Sequence, residues 1–223
     1  MEVALHFGDP FERLWPDGKW RRQASALFIG QMLSPAIVRP CGETGVLGVR
    51  FHPAGLHAFC PIPKQEFQNK IEQLDLVWPG IHSKLSEVAT SPQRLQDLDA
   101  FLLASLRQQA DTRIAAAVSA ISGDPCVPID LLISRTGMSS RTFRRKFSEQ
   151  VGIGPKVFSR IIRFQNALQE LQSSSPVEAA LNSAYYDQSH MVHEFQQFAG
   201  CPPSVLLARN GQFLQDSRSQ SVL

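Results

Sequence analysis

The densest chemistry in this 223-residue sequence lies between Ser139 and Phe147, where Arg141, Arg144, Arg145 and Lys146 crowd together with Phe143 and Phe147. A planar guanidinium offers a fork of donors that fits a phosphate or the O6/N7 edge of guanine. At 100° per residue Phe143, Phe147 and Val151 form one stripe, and Arg141, Arg144, Arg145 and Ser148 form the opposite one. A helix here packs by its aromatics and presents its cations. In a second group, Gln188, Ser189, His193 and Gln196, the last three share a helical face. Glutamine can read adenine, and histidine can donate to phosphate. His190 falls off that stripe and reads better as a residue that ties its turn together.

A third group, His52, His57 and Cys60, is compact, but its spacings of five and three match no common zinc signature, and no His-x-His accompanies it. No metal site is expected. Phe51, His52, His57 and Phe59 could line an effector pocket; plain packing is the competing reading, and chemistry at His52, His57 and Cys60 is the weakest. No G-x-S-x-G elbow or paired carboxylates in a glycine-rich setting suggest covalent or acid–base catalysis, so no catalytic residue and no enzyme are expected.

The basic stretch takes its meaning from what precedes it. Pro128 to Arg135 reads as a short helix with Ile129, Leu132 and Ile133 inward, Thr136-Gly137-Met138 as a turn whose glycine permits positive φ, and Ser139 as the cap of the next helix. Helix, glycine turn and basic helix make a helix-turn-helix, whose second member enters the DNA major groove. Asp111 to Ile121 reads as a preceding helix with Ile114, Val118 and Ile121 inward. Gly152-Ile153-Gly154-Pro155 closes the basic helix, and a long helix runs to Leu171 on Val157, Ile161, Phe164, Leu168 and Leu171. The pattern then recurs: Val177 to Ala184, a turn at Tyr185-Tyr186-Asp187, Gln188 to Ala199 with Met191, Phe195 and Phe198 inward, then Gly200-Cys201-Pro202-Pro203.

At these residues the sequence resembles a known family. GMSSRTFRRKFSEQVGIGPKVF and YYDQSHMVHEFQQFAGCPPSVL resemble the DNA-binding domain of AraC-type (AraC/XylS) transcription regulators, over roughly residues 107–209. The resemblance implies a sequence-specific DNA-binding regulator with recognition helices 139–150 and 188–199 in successive major-groove segments. It places base and phosphate contacts on Arg141, Thr142, Arg144 and Arg145; Lys146, Lys156, Gln188, Ser189, His193 and Gln196 complete the expected set. Family members usually have a small residue at Ile133, Gly at Ala184, Phe at Met191 and often Arg at His193. Val46 to Phe51 with His52-Pro53-Ala54-Gly55 resembles the sensor region of one branch, which usually has further strands before the segment equivalent to Val3 to Pro10; a truncated start is expected here.

The expected fold is α+β: a small β-rich sensor or interaction domain over 1–105, an all-α double helix-turn-helix domain over 106–211, and a flexible tail over 212–223. Strands are expected at Val3–Phe7, Ala26–Ile29, Ala36–Val38 and Val46–Phe51. Helices are expected at Glu66–Leu74, at Ile81–Ala89 and from about Ser91, the last with Leu95, Leu98, Phe101, Leu102 and Leu106 on one stripe.

With 43% hydrophobic and 19% charged residues the chain should be well cored. Formal charge is only +2, but Arg141 to Arg163 holds seven Lys or Arg against Glu149 alone, whereas Phe164 to Asn210 holds Arg209 against four acids. Affinity for DNA is therefore expected mainly in the first unit. Four scattered cysteines, no signal-peptide pattern and no long apolar run point to a cytoplasmic protein without a membrane segment. No cofactor is expected. Double-stranded DNA is the expected partner, with RNA polymerase, a small-molecule effector and a second copy left open.

Overall fold

The computed structural model describes residues 1–60, 62–107 and 111–208; the expected tail over 212–223 lies outside the described residues. In chain order the strands are β1 (Glu2–Gly8), β2 (Glu12–Leu14), β3 (Trp20–Arg22), β4 (Ala26–Ile29), β5 (Val38–Arg39), β6 (Thr44–Arg50) and β7 (Ile71–Gln73). The helices are α1 (Leu74–Val77), α2 (Ile81–Thr90), α3 (Arg94–Ala104), α4 (Thr112–Gly123), α5 (Ile129–Thr136), α6 (Ser140–Val151), α7 (Pro155–Glu170), α8 (Pro176–Asn182), α9 (Gln188–Ala199) and α10 (Pro203–Ala208). The α+β class is as the sequence implied.

One antiparallel sheet runs β6-β1-β4-β7 and a smaller one β3-β2-β5. β1 pairs with β6 along its whole length, Glu2 opposite Arg50 and Gly8 opposite Thr44. Alternation sends Val3 and Leu5 to one face, where they join Ala26, Phe28, Leu56, Leu74, Trp78, Ile81 and Leu85 in one apolar core. Phe28 is fully buried, its ring 4.8 Å from that of Phe67.

Several expectations need correction. Glu66–Leu74 is not a helix: a 3-10 turn covers Lys64–Phe67, Asn69 at φ 58° interrupts the chain, and Ile71–Gln73 then pairs with β4 as an edge strand. The side chain of Asn69 holds this break by accepting the Leu33 N–H at 2.7 Å. Of Ala36–Val38 only Val38 enters a strand. β2 and β3 went unread because Glu-Arg-Leu and Trp-Arg-Arg show no apolar alternation. α3 starts at Arg94 rather than Ser91 and buries none of its residues fully; Leu95 and Leu106 of its supposed inner stripe are exposed. α8 ends at Asn182, short of Ala184.

The chain divides into two compact units, Met1–Ala120 with Val127–Pro155, and Ile121–Cys126 with the residues from Lys156 onward. The first unit thus groups the sheets with α5 and α6. Within it the 3-10 turns Gly55–Ala58 and Lys64–Phe67 pack on α6. Gly152, at φ 90°, ends α6 where a Cβ would strike the Met1 methyl and lie 3.1 Å from the Lys64 carbonyl oxygen, so only glycine fits there.

Candidate nucleic-acid interface

α6 is amphipathic by construction. Phe143, Phe147 and Val151 are buried, with the two phenyl rings 5.8 Å apart. Gly137 at φ 66° turns the chain out of α5, and Ser139 caps α6 by accepting the Thr142 N–H at 3.2 Å. Arg141, Arg144 and Arg145 are exposed, and Thr142 is half-buried with its Oγ1 accepting from Ser139 at 2.9 Å. In α5, Leu132 is buried, while Ile129 and Ile133 are only partly so.

The cations divide into free and engaged. Arg141 and Lys156 have no carboxylate within ion-pair reach among the described residues, and Arg144 has only a hydrogen bond from its Nε to Ser140 at 3.2 Å. Arg145 pairs with Glu149 at 2.6 Å on the surface, a contact worth about 0–1 kcal/mol that a phosphate can displace. Lys146 departs from the expected outward role: its ammonium lies 2.8 Å from Asp111, 35 residues away. The hydrogen bond from Arg113 and then that from Lys146 hold the Asp111 carboxyl well below the usual carboxylate range.

The second unit reuses the design with different polar parts. Ser175 and Glu178 form a capping box at the start of α8, and the Asp187 side chain caps α9 by accepting the His190 N–H at 2.7 Å. Ala184 takes the turn at φ 59°, a conformation that favours glycine. Met191 and Phe195 are fully buried, while Phe198 is only partly covered. Gln188, Ser189, His193 and Gln196 are all exposed, whereas His190 packs its ring edge-on against Tyr185, 5.2 Å away.

Sequence reasoning missed the residue that organises this unit. Glu194 is only 2% exposed, yet its carboxylate accepts from Arg160 Nε at 2.5 Å and from the Tyr185 hydroxyl at 3.2 Å, with Arg163 4.0 Å away. Burial first, then the Glu194 charge, pushes the Tyr185 phenol well above its ordinary range. The signal was available: Glu194 occupies an inward position on the stripe of Met191, Phe195 and Phe198. Arg160 and Arg163 are therefore fasteners. Of seven cations between Arg141 and Arg163, three remain without a carboxylate partner among the described residues: Arg141, Arg144 and Lys156.

The N-terminal candidates do not form one polar site. Phe51 and Phe59, 5.6 Å apart, pack against the apolar core, and Phe59 stacks on Trp78 at 6.2 Å. His52 is exposed, and Cys60 is buried. His57 is half-buried, and burial, then the nearby Lys64 charge, pushes its pKa down while Glu149 opposes. Lys64 is fully buried and donates to the carbonyls of Cys60 and Ile62, the latter at 2.5 Å; burial lowers its pKa. Among the described residues no three His, Cys, Asp or Glu are grouped to hold a metal ion, and no helix is long and apolar enough to cross a membrane.

Residues 132–209 match a family described as a helix-turn-helix domain, spanning both units built above. That region is an AraC-type helix-turn-helix domain. DNA-binding transcription regulation is its function. Residues 1–73 of the chain match a domain of unknown function (DUF6597). A solved structure of a probable AraC family transcriptional regulator from Rhodopseudomonas palustris CGA009 is 25% identical over 44% of this chain and 97% of its own, with a TM-score of 0.40. No curated protein matches the chain.

Proposed function

We propose that this AraC-type regulator binds a specific DNA sequence through α6 and α9, each lying in a major-groove segment, with α6 as the principal anchor. The observation that supports this reading is the division of labour along α6: Phe143 and Phe147 are wholly buried, while Arg141 and Arg144 are exposed and have no carboxylate partner among the described residues. Residues in the first turns of a recognition helix meet base edges, and an Arg fork on guanine discriminates by about 1–3 kcal/mol. Lys156 and the displaceable Arg145 supply phosphate contacts; Lys146 is withdrawn from that set by Asp111. α9 contributes Gln188, Ser189, His193 and Gln196, which hydrogen-bond without permanent charge. The two helices read half-sites centred one turn, ~34 Å, apart.

For the N-terminal domain a scaffold role is better supported than effector sensing at Phe51, His52, His57 and Phe59, because the two phenyl rings are committed to the core and His52 faces solvent. Selection of bound fragments from a random duplex pool tests the reading. The expected result is a motif of two half-sites separated by one helical turn, whose first half loses its guanine preference in Arg144→Ala; recovery of no motif would defeat it.

A further inference from the structure

The small sheet β3-β2-β5 concentrates positive charge in a domain that is otherwise acidic. Residues 1–105 contain ten Lys or Arg against eleven Asp or Glu. Five of those cations (Arg13, Lys19, Arg21, Arg22 and Arg39) fall within residues 12–22 and 38–39, with only Glu12 and Asp17 beside them, so the sheet and its hairpin are net +3 and the rest of the domain net −4. Neither composition nor core packing demands this segregation.

Register then sets like charges side by side. Arg13 lies directly opposite Arg21 in the β2–β3 ladder, an arrangement that by itself destabilises a strand pair. Both guanidiniums lie over one indole, that of Trp15, at 5.6 Å and 4.9 Å from its centroid. Trp15 is 43% exposed. Asp17 neutralises Arg21 at 2.5 Å, but no carboxylate lies within ion-pair reach of Arg13 or the Lys19 ammonium among the described residues. On the opposite face Arg39 pairs with Glu12 at 2.7 Å and Arg22 pairs with Asp9. The Arg13–Arg21–Trp15 face is thus a pair of forks on an aromatic plate, that of Arg21 held by an exposed carboxylate that a phosphate can displace, beside an ammonium with no carboxylate partner among the described residues.

We propose that this face is a second, sequence-independent DNA contact that grips the phosphate backbone of duplex flanking the recognised site. The proposal rests on DNA binding by the helix-turn-helix units. Guanidinium forks held over a half-solvated ring fit phosphodiester oxygens, and two such contacts release counterions without reading bases.

The test compares full-length protein on two duplexes carrying the same selected site, one trimmed to the two half-sites and one extended by about two helical turns on each side. With two phosphates held, Arg13→Gln/Arg21→Gln should flatten log K against log salt by about two units on the long duplex and leave the short one unchanged. Arg13→Lys/Arg21→Lys should restore most of the slope. Melting curves and tryptophan fluorescence of each variant establish that the hairpin is intact. Equal slopes for wild type and the Gln variant on the long duplex would overturn the proposal, as would retention of the face by an acidic protein surface with no effect on DNA. An equal loss on both duplexes would also overturn it, since the face would then belong to the core site. Arg141→Ala/Arg144→Ala serves as the separate control: if it leaves short-duplex binding intact, the helix-turn-helix reading fails, independently of the flanking contact.

Discussion

Replacing Glu194 by leucine should unfold the second unit more readily than any change on its exposed faces. The carboxylate is 3% exposed and holds Arg160 at 2.5 Å, Tyr185 at 3.2 Å and Arg163 at 4.0 Å. Removing one partner of a buried ion pair costs about 3–5 kcal/mol. Here the Arg160 and Arg163 side chains remain 30% and 20% exposed, so water recovers part of that, and the expected loss is about 3 kcal/mol, including an orphaned Tyr185 hydroxyl worth about 1 kcal/mol. Glu194→Gln keeps the shape and an acceptor for Tyr185, and should cost about half as much. The assay is urea denaturation of the full chain followed by two probes. Trp15, Trp20 and Trp78 all lie in the first unit, so fluorescence reports that unit, whereas far-UV circular dichroism reports both. Glu194→Leu should produce an early dichroism loss that precedes the tryptophan transition. A loss below 1 kcal/mol, or equal penalties for Gln and Leu, would refute the idea that the charge network holds α9 in place.

Three further outcomes follow from the geometry. Ala184→Gly should raise stability by about 0.5–1 kcal/mol, read as a higher melting temperature, because it relieves the strain of a 59° φ, a conformation that favours glycine. Stability should fall on acidification: His6 is 7% exposed, its ring nitrogens accept and donate nothing among the described residues, and burial lowers its pKa. Its stabilising contribution is complete above the unfolded value of about 6.5 and is lost as pH falls toward the lowered folded value; His6→Leu should flatten that dependence below about pH 6.5, as measured by urea midpoints. Lys146→Met should leave the salt dependence of DNA binding unchanged, because its ammonium is on Asp111, whereas Lys156→Ala should flatten it by about one unit if Lys156 holds a phosphate.

The helical part was legible because each of its devices is local. Phe143 and Phe147 at i and i+4, Ser139 before the cations, Gly137 in the turn and the repeat at Gly200 all act within a few residues, and all appear in the structure. What escaped depends on distant pairing. No sequence rule brings Lys146 to Asp111 or Arg160 to Glu194, and a raw charge count therefore overstated the cations available to DNA. Strands β2 and β3 went unread since their faces are polar on both sides, and Glu66–Leu74 passed for a helix until Asn69 and the β4 edge determined its course. Leu95 and Leu106 looked inward by periodicity, yet periodicity fixes which residues share a face and not what that face meets.

The most direct test of α6 as principal anchor is the affinity for the selected duplex across a salt series, measured for Arg141→Ala, Arg144→Ala, Gln188→Ala and Gln196→Ala. Removing either arginine should weaken binding at least about tenfold and flatten the salt slope if it also neutralises a phosphate, whereas the two glutamine variants should lose base discrimination at their own half-site and keep the wild-type slope. If the arginine variants bind like wild type while the glutamine variants lose binding altogether, the anchor is α9 and the account of α6 is contradicted.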